Sequence, residues 1–235
     1  YPFATRIVVP RCYYGKLPVK KTVRYNGYHE LSYLHPDYFT PSREIALENG
    51  LAPEGDTFLI RLVSWNASHD VGLKGWSTAL LNTVVDKLNQ RGHVVISAES
   101  GLPPHLEQYR YKGDIHQIHH LLGHCRAVIG ESATMASEAV VTGVPAIYAA
   151  TESRGYIDEQ AKHFKMARSV TTYQPDKIVR AIDKMLGVPL FEIKRRHCEM
   201  LSKTVDVPKL IVSELTQTGG AQQTSETKHE KSTHR

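Results

Sequence analysis

Three cysteines in 235 residues, Cys12, Cys125 and Cys198, are too few, too far apart and odd in number to build a disulfide frame. Without a C-x-x-C pair they make no zinc site either. No apolar run approaches the ~18 residues of a membrane-crossing helix, and no signal-peptide pattern is visible. Internal repeats are absent, and so are long blocks of one charge sign. The formal net charge is only +5, with Lys and Arg scattered along the chain, so nucleic acid is not the expected partner. A basic surface of this kind would still suit peripheral contact with an anionic membrane or a lipid-phosphate acceptor. The expected location is cytoplasmic, with membrane association as an addition to it.

What is present is an ordered alternation of apolar strands and amphipathic helices. Strands are expected at 57–63, 93–98, from 127, from 144 and at 167–170. Helices are expected at 43–49, 75–91, 114–124, from 132, around 156–164, and at 175–186 and 190–202. Such alternation implies an α/β domain with a Rossmann-like, doubly wound parallel sheet, whose ligands sit at the carboxyl ends of the strands. Residues 13–41 are tyrosine-rich and linker-like, and 217–235 are a polar tail expected to be disordered.

The segment GESATMASEAVVTGVPAIY, from Gly130 to Tyr148, carries the strongest chemical signal. It reads as a strand end, a tight turn, a helix opened by small and hydroxyl residues, a glycine stop at Gly143 and a new strand. A helix N-terminus offers unpaired N–H groups and a positive dipole end to phosphate. Ser132, Thr134 and Ser137 are therefore nucleotide-binding candidates. Glu138, one turn further in, could accept hydrogen bonds from the two hydroxyls of a ribose. The plainer reading of Glu138 is a carboxylate favoured by the helix dipole.

The loop after the first strand of this sheet, from Ser64 to Gly72, gathers amide, hydroxyl and imidazole donors at the same edge. Ser64, Asn66 and His69, with Arg61 on the strand itself, are the candidate pyrophosphate ligands. Ser and Asn also serve loop backbone, and a buried arginine can equally be held by a structural carboxylate. Glu99 points toward this edge and reads as a bystander. In DIHQIHHLLGH the spacing of His116, His120 and His124 invites a metal. The apolar stripe of Ile115, Ile118, Leu121, Leu122 and Cys125 instead puts His116, His119, His120 and His124 on a solvated face. No metal is assigned.

Four ordered segments resemble a known family: YNGYHELSYLHP at Tyr25 to Pro36, FLIRLVSWNASHDVG at Phe58 to Gly72, DIH at Asp114 to His116, and GESATMASEA at Gly130 to Ala139. They are similar to the prokaryotic domain-of-unknown-function family numbered 354. Through it the chain resembles the C-terminal half of GT-B-type nucleotide-sugar enzymes such as the peptidoglycan lipid II synthase and UDP-sugar 2-epimerases. The resemblance implies that Glu138 binds ribose and that the base lies near Asp114, Ile115 and His116. It also implies that Tyr1 to Pro10 ends a preceding Rossmann-like domain that is mostly absent here.

Residues 1–43 are then a remnant of that domain and its linker, 44–215 the nucleotide-sugar-binding domain, and 216–235 the tail. The turn at Thr151 to Tyr156 would face the donor sugar, but it lacks the paired glutamines of the lipid II synthase type and leaves the sugar open. The expected function is a glycosyltransferase using a nucleotide sugar, UDP-linked by preference, as substrate rather than cofactor. Its acceptor is unidentified, and its base would come largely from the preceding domain. The alternatives are a UDP-sugar 2-epimerase-like enzyme and a non-catalytic nucleotide-binding module.

Overall fold

The computed structural model describes residues 3–64 and 75–217. Five parallel strands form the main sheet: β3 (Thr57–Leu62), β4 (His93–Ala98), β5 (Ala127–Gly130), β6 (Ala146–Ala149) and β7 (Ala167–Val170). Their spatial order is β4-β3-β5-β6-β7. Ahead of them, β1 (Ile7–Pro10) and β2 (Thr22–Tyr25) make a separate parallel pair.

Strand side chains alternate between two apolar layers, as a period of two requires. Phe58, Ile60, Val94, Ile96, Ile129 and Ile147 point to one side, where α3 (Thr78–Asn89) and α7 (Pro175–Leu186) cover them. The α7 stripe of Ile178, Ala181, Ile182 and Met185 has the helical spacing that makes a single buried face. Leu59, Val95, Val128, Ala146 and Tyr148 point to the other side. There they meet residues from α2 (Arg43–Glu48), α4 (Ile118–Leu122), α5 (Ala133–Val141), α6 (Gly155–Lys162) and α8 (Leu190–Ser202). A last helical stretch covers 207–217. Among the described residues no helix is long and apolar enough to cross a membrane.

The expected α/β Rossmann-like parallel sheet is thus the one found, and α5 is capped by Ser132 and closed by Gly143 as its sequence predicts, whereas the helix expected over 75–91 is the shorter α3. Ser42, Ser77 and Ser132 each accept a hydrogen bond from the backbone three residues on. Gly143 closes α5 at φ 91°, with Val144 N donating to the Ala139 carbonyl.

Two differences concern local structure. The helix expected over 114–124 is a 3-10 turn at Ile115–Gln117 followed by the short α4, because Asp114 caps the turn and Gln117 leaves helical geometry. The linker-like segment is folded: it holds β2 and α1 (Leu31–Leu34), and Tyr25, Tyr28, Leu31 and Leu34 are buried in the same apolar layer as α5. The tail beyond 217 lies outside the described residues.

Candidate functional site

The sheet order makes β3 and β5 neighbours whose onward connections run to opposite sides. That is the topological switch point, where ligands of open parallel sheets bind beyond the carboxyl ends of the strands. Gly130 at the end of β5 has φ 155°, and a Cβ there would overlap the carbonyl of Arg61 on β3. Only glycine lets the two strands stay paired while the chain turns into α5. The next residue, Glu131, is buried; its N–H donates to the Arg61 carbonyl at 2.9 Å, and its Oε1 accepts from Trp76 N at 2.7 Å.

On the β3 and β4 side of this edge polar groups pair with one another, although Arg61 Nε finds no partner among the described residues. Arg61 donates to Ser97 Oγ at 2.9 Å and forms an ion pair with Glu99. The other Glu99 oxygen accepts from Ser64 N at 2.9 Å and from Ser64 Oγ at 3.0 Å. Arg61 thus has a structural carboxylate as its partner, and Glu99 is a partner rather than a bystander. Asn66 and His69 lie outside the described residues.

On the β5 and β6 side the edge is open. A cleft of about 500 Å³ lies between the N-terminal segment and the starts of α5 and α6. Thr134 and the turn Ser153 to Tyr156 form one wall, and Cys12 to Gly15 with His29, Glu30 and Tyr33 form the other. The walls are locked together: Tyr28 donates to Glu159 at 3.0 Å and Tyr14 to Asp158 at 3.1 Å. At Gly155 the backbone packs so closely on the Cys12 carbonyl that a Cβ would overlap it. Burial, with Glu159 nearby, pushes the Cys12 thiol up to about 12, and burial likewise raises Tyr156 to about 12. Both stay protonated at neutral pH, so Cys12 is no nucleophile here.

Two carboxylates differ in environment: Glu30 lines the cleft, and Glu138 is buried and hydrogen-bonded to the cleft residue Tyr33. Glu138 Oε1 accepts from Tyr33 Oη at 2.9 Å and lies 3.1 Å from His119 Nε2. A carboxylate has further lone pairs on its second oxygen. The Tyr33 hydroxyl is correspondingly raised, by burial first and then by the Glu138 charge. Glu30, 6% exposed, is raised from the usual carboxylate range mainly by burial; its own backbone N–H and Ser137 oppose that shift, and the Glu138 charge adds to it.

The remaining predicted residues are placed as follows. Thr134 is exposed at the cleft wall, and Ser132 is the N-cap of α5, its Oγ accepting from Met135 N at 3.2 Å. Ser137 is a correction: it is completely buried and accepts from Gln160 Nε2 at 2.8 Å, so it braces α5 against α6 and faces no open space. Ile115 is 56% exposed and His116 is exposed, both in the 3-10 turn that leads to α4.

The solvated histidine face is also corrected. His119 contacts Glu138, Tyr33 and Phe39, and His120 Nδ1 accepts from Ser42 N at 2.9 Å. The Nε2 of His124 is buried. The segment 25–41 supplies the aromatic cover, which the helical pattern of 114–124 alone does not reveal. Glu30 and Tyr33 were missed for a related reason: Tyr25 to Glu30 reads as a hinge, and its density of tyrosine, histidine and glutamate was the available signal.

No family model matches the chain, and no curated protein matches it. Solved structures do resemble its fold. The calicheamicin glycosyltransferase CalG4 matches 86% of this chain over 48% of its own, with TM-score 0.53 and 17% identity. A protein assigned as a UDP-N-acetylglucosamine 2-epimerase from Listeria monocytogenes matches 88% over 56%, with TM-score 0.56 and 13% identity. The spinosyn forosaminyltransferase SpnP matches 91% over 54%, with TM-score 0.55 and 16% identity. The chain therefore has the fold found in about half the length of GT-B enzymes.

Proposed function

We propose that this chain is the donor-nucleotide domain of a GT-B-type glycosyltransferase that uses a nucleotide sugar, UDP-linked by preference. The observation that carries the reading is Glu138, whose Oε1 accepts from Tyr33 Oη and lies 3.1 Å from His119 Nε2, in the helix that starts at the switch point. Ribose hydroxyls would donate to Glu138, with the base toward Ile115 and His116. The diphosphate would meet the N–H groups at the start of α5 beside Ser132 and Thr134, where the dipole favours negative charge. Asn66 and His69 remain candidates for it. Arg61 and Ser64 would first have to leave Glu99, which ranks them lower.

Catalysis would rest on stabilising the departing nucleoside diphosphate with these fixed donors while the anomeric carbon stays open to an acceptor. The acceptor is a second partner still to be identified. Peripheral contact with a membrane belongs to the same proposal, through the basic character of the chain. A 2-epimerase-like activity is the second reading, favoured by two neighbouring carboxylates, Glu30 in the cleft wall and Glu138 bound to the cleft residue Tyr33.

Calorimetric titration of the protein with UDP, ADP, GDP and dTDP tests the reading. Saturable binding of one diphosphate, weakened roughly ten- to a hundredfold in Glu138→Ala, is expected from the loss of a hydrogen bond to a charged group. Binding of none, or binding indifferent to Glu138, would reject it.

A further inference from the structure

Glu30 is the buried acid that nucleotide binding leaves without a task. It stands at the N-cap position of α1 but makes no capping hydrogen bond with its side chain, and it lines the 500 Å³ cleft. Behind it Gln160 Nε2 donates to Ser137 Oγ at 2.8 Å, and Ser137 lies near enough to the Glu30 carboxyl to favour its charged form. Around it stand Cys12, Tyr25, Tyr28 and His29 from the N-terminal segment, Tyr33 from α1, Glu138 from α5, and Tyr156 and Glu159 from α6. His29 is the neighbour that favours its charge, and Glu138 opposes it.

We propose that Glu30 is the catalytic base of the transfer, taking the proton of an acceptor hydroxyl lodged in the tyrosine-lined cleft. The inference rests on the nucleotide-sugar reading above and adds the acceptor's chemistry to it. The acceptor oxygen forms a bond to the anomeric carbon, and the bond from that carbon to the diphosphate oxygen breaks with its electron pair leaving on the nucleoside diphosphate. The hydroxyl proton passes to the Glu30 carboxylate and from there to solvent through the cleft mouth.

Two features specify the acceptor as a neutral, hydroxyl-bearing ring such as a sugar. Tyr13, Tyr14, Tyr33 and Tyr156 line the cleft with ring surface that suits the apolar face of a sugar. An anionic acceptor would face Glu30 and Glu138, with Arg154, already paired with Glu152, as the cation in the wall. The environment also suits the chemistry. Burial first, with a contribution from the Glu138 charge, raises Glu30 above the ordinary carboxylate value, which makes it the stronger base. The two carboxylates divide the work: Glu138 accepts hydrogen bonds in binding, and Glu30, which lines the cleft, exchanges a proton.

The test uses UDP-N-acetylglucosamine as donor and methyl glycosides as neutral acceptors, with UDP release and UDP affinity measured separately. Glu30→Gln is expected to bind UDP within about twofold of wild type while kcat falls about a hundredfold or more. Wild-type kcat should rise with pH as the Glu30 carboxyl ionises, Glu30→Gln should lose that limb, and Glu30→Asp should restore part of it. Near-wild-type turnover in Glu30→Gln overturns the proposal and leaves the nucleotide reading intact. So does loss of UDP affinity in both Glu30 variants, which would make Glu30 a structural group. Wild type that binds UDP but turns over no donor also overturns it, and wild type that binds no UDP overturns both readings.

Discussion

The two sides of one sheet edge solve the same electrostatic problem in opposite ways. Beyond β3 and β4, Arg61, Ser64, Ser97 and Glu99 pair with each other among the described residues. Beyond β5 and β6, Glu30 lines an open cleft and Glu138 is held by Tyr33 and His119 next to it. The lesson is that donor-rich sequence does not by itself mark a ligand site. What distinguishes the second region is its cleft, together with acids that have no arginine or lysine partner among the described residues.

The sharpest way to break the comparison is to remove the joint that both regions share. Gly130→Ala would drive a methyl group into the Arg61 carbonyl and is expected to cost about 3 kcal/mol in denaturant unfolding, at the upper end of overpacking effects. An effect under 1 kcal/mol would mean that β3 and β5 can part cheaply.

Next in size, Glu99→Ala leaves a mostly buried guanidinium without its carboxylate, and Arg61 Nε already has no partner. Loss of about 1–2 kcal/mol of stability is expected, with UDP affinity changed far less than by Glu138→Ala. Should Glu99→Ala shift affinity more than stability, the closed side would be part of the ligand site after all.

Two further substitutions sharpen the comparison through pH. Glu30 is raised in the folded state, so the native protein holds a proton that the unfolded chain has given up. Stability therefore falls as pH climbs from the ordinary glutamate value, about 4.3, through the raised one. Glu30→Gln should accordingly melt higher than wild type at pH 8 and lose that advantage at pH 4. Equal differences at both pH values would show that Glu30 is not desolvated at a cost.

The smallest effect is expected at His197, far from either region in role. Its ring packs against Gly143, its Nε2 lies 2.8 Å from the Val141 carbonyl, and burial lowers its pKa. Its contribution is complete above the unfolded value, about 6.5, and is lost as pH falls from there through the lowered folded value. His197→Gln should flatten the melting temperature between pH 7 and pH 5, and an unchanged slope would assign that slope to other groups.

The sequence made the main sheet legible because its strands and helices carry complete local signals. Period-two apolar strands, serine N-caps and Gly143 each report a neighbour only a few residues away. The residues 22–34 lacked such signals: β2 has four residues and a single buried one, Tyr25, and α1 is one turn long. Their order comes from packing on α5, which no local pattern encodes. The site divides along the same line. Glu138 could be found from its place in a helix, whereas its partner Tyr33 is 105 residues away and the Arg61 partner Glu99 is 38 away. Pairing across such separations is decided by the fold, so the choice between phosphate ligand and internal ion pair at Arg61 had to wait for it.

The central claim is that Glu138 reads a ribose. The direct measurement is a calorimetric cycle of UDP and 2′-deoxyuridine diphosphate against wild type and Glu138→Ala. The account predicts that wild type prefers UDP by about tenfold, one hydrogen bond to a charged group, and that the preference vanishes in the variant. Equal affinities in wild type, or a preference that survives the loss of Glu138, would contradict it.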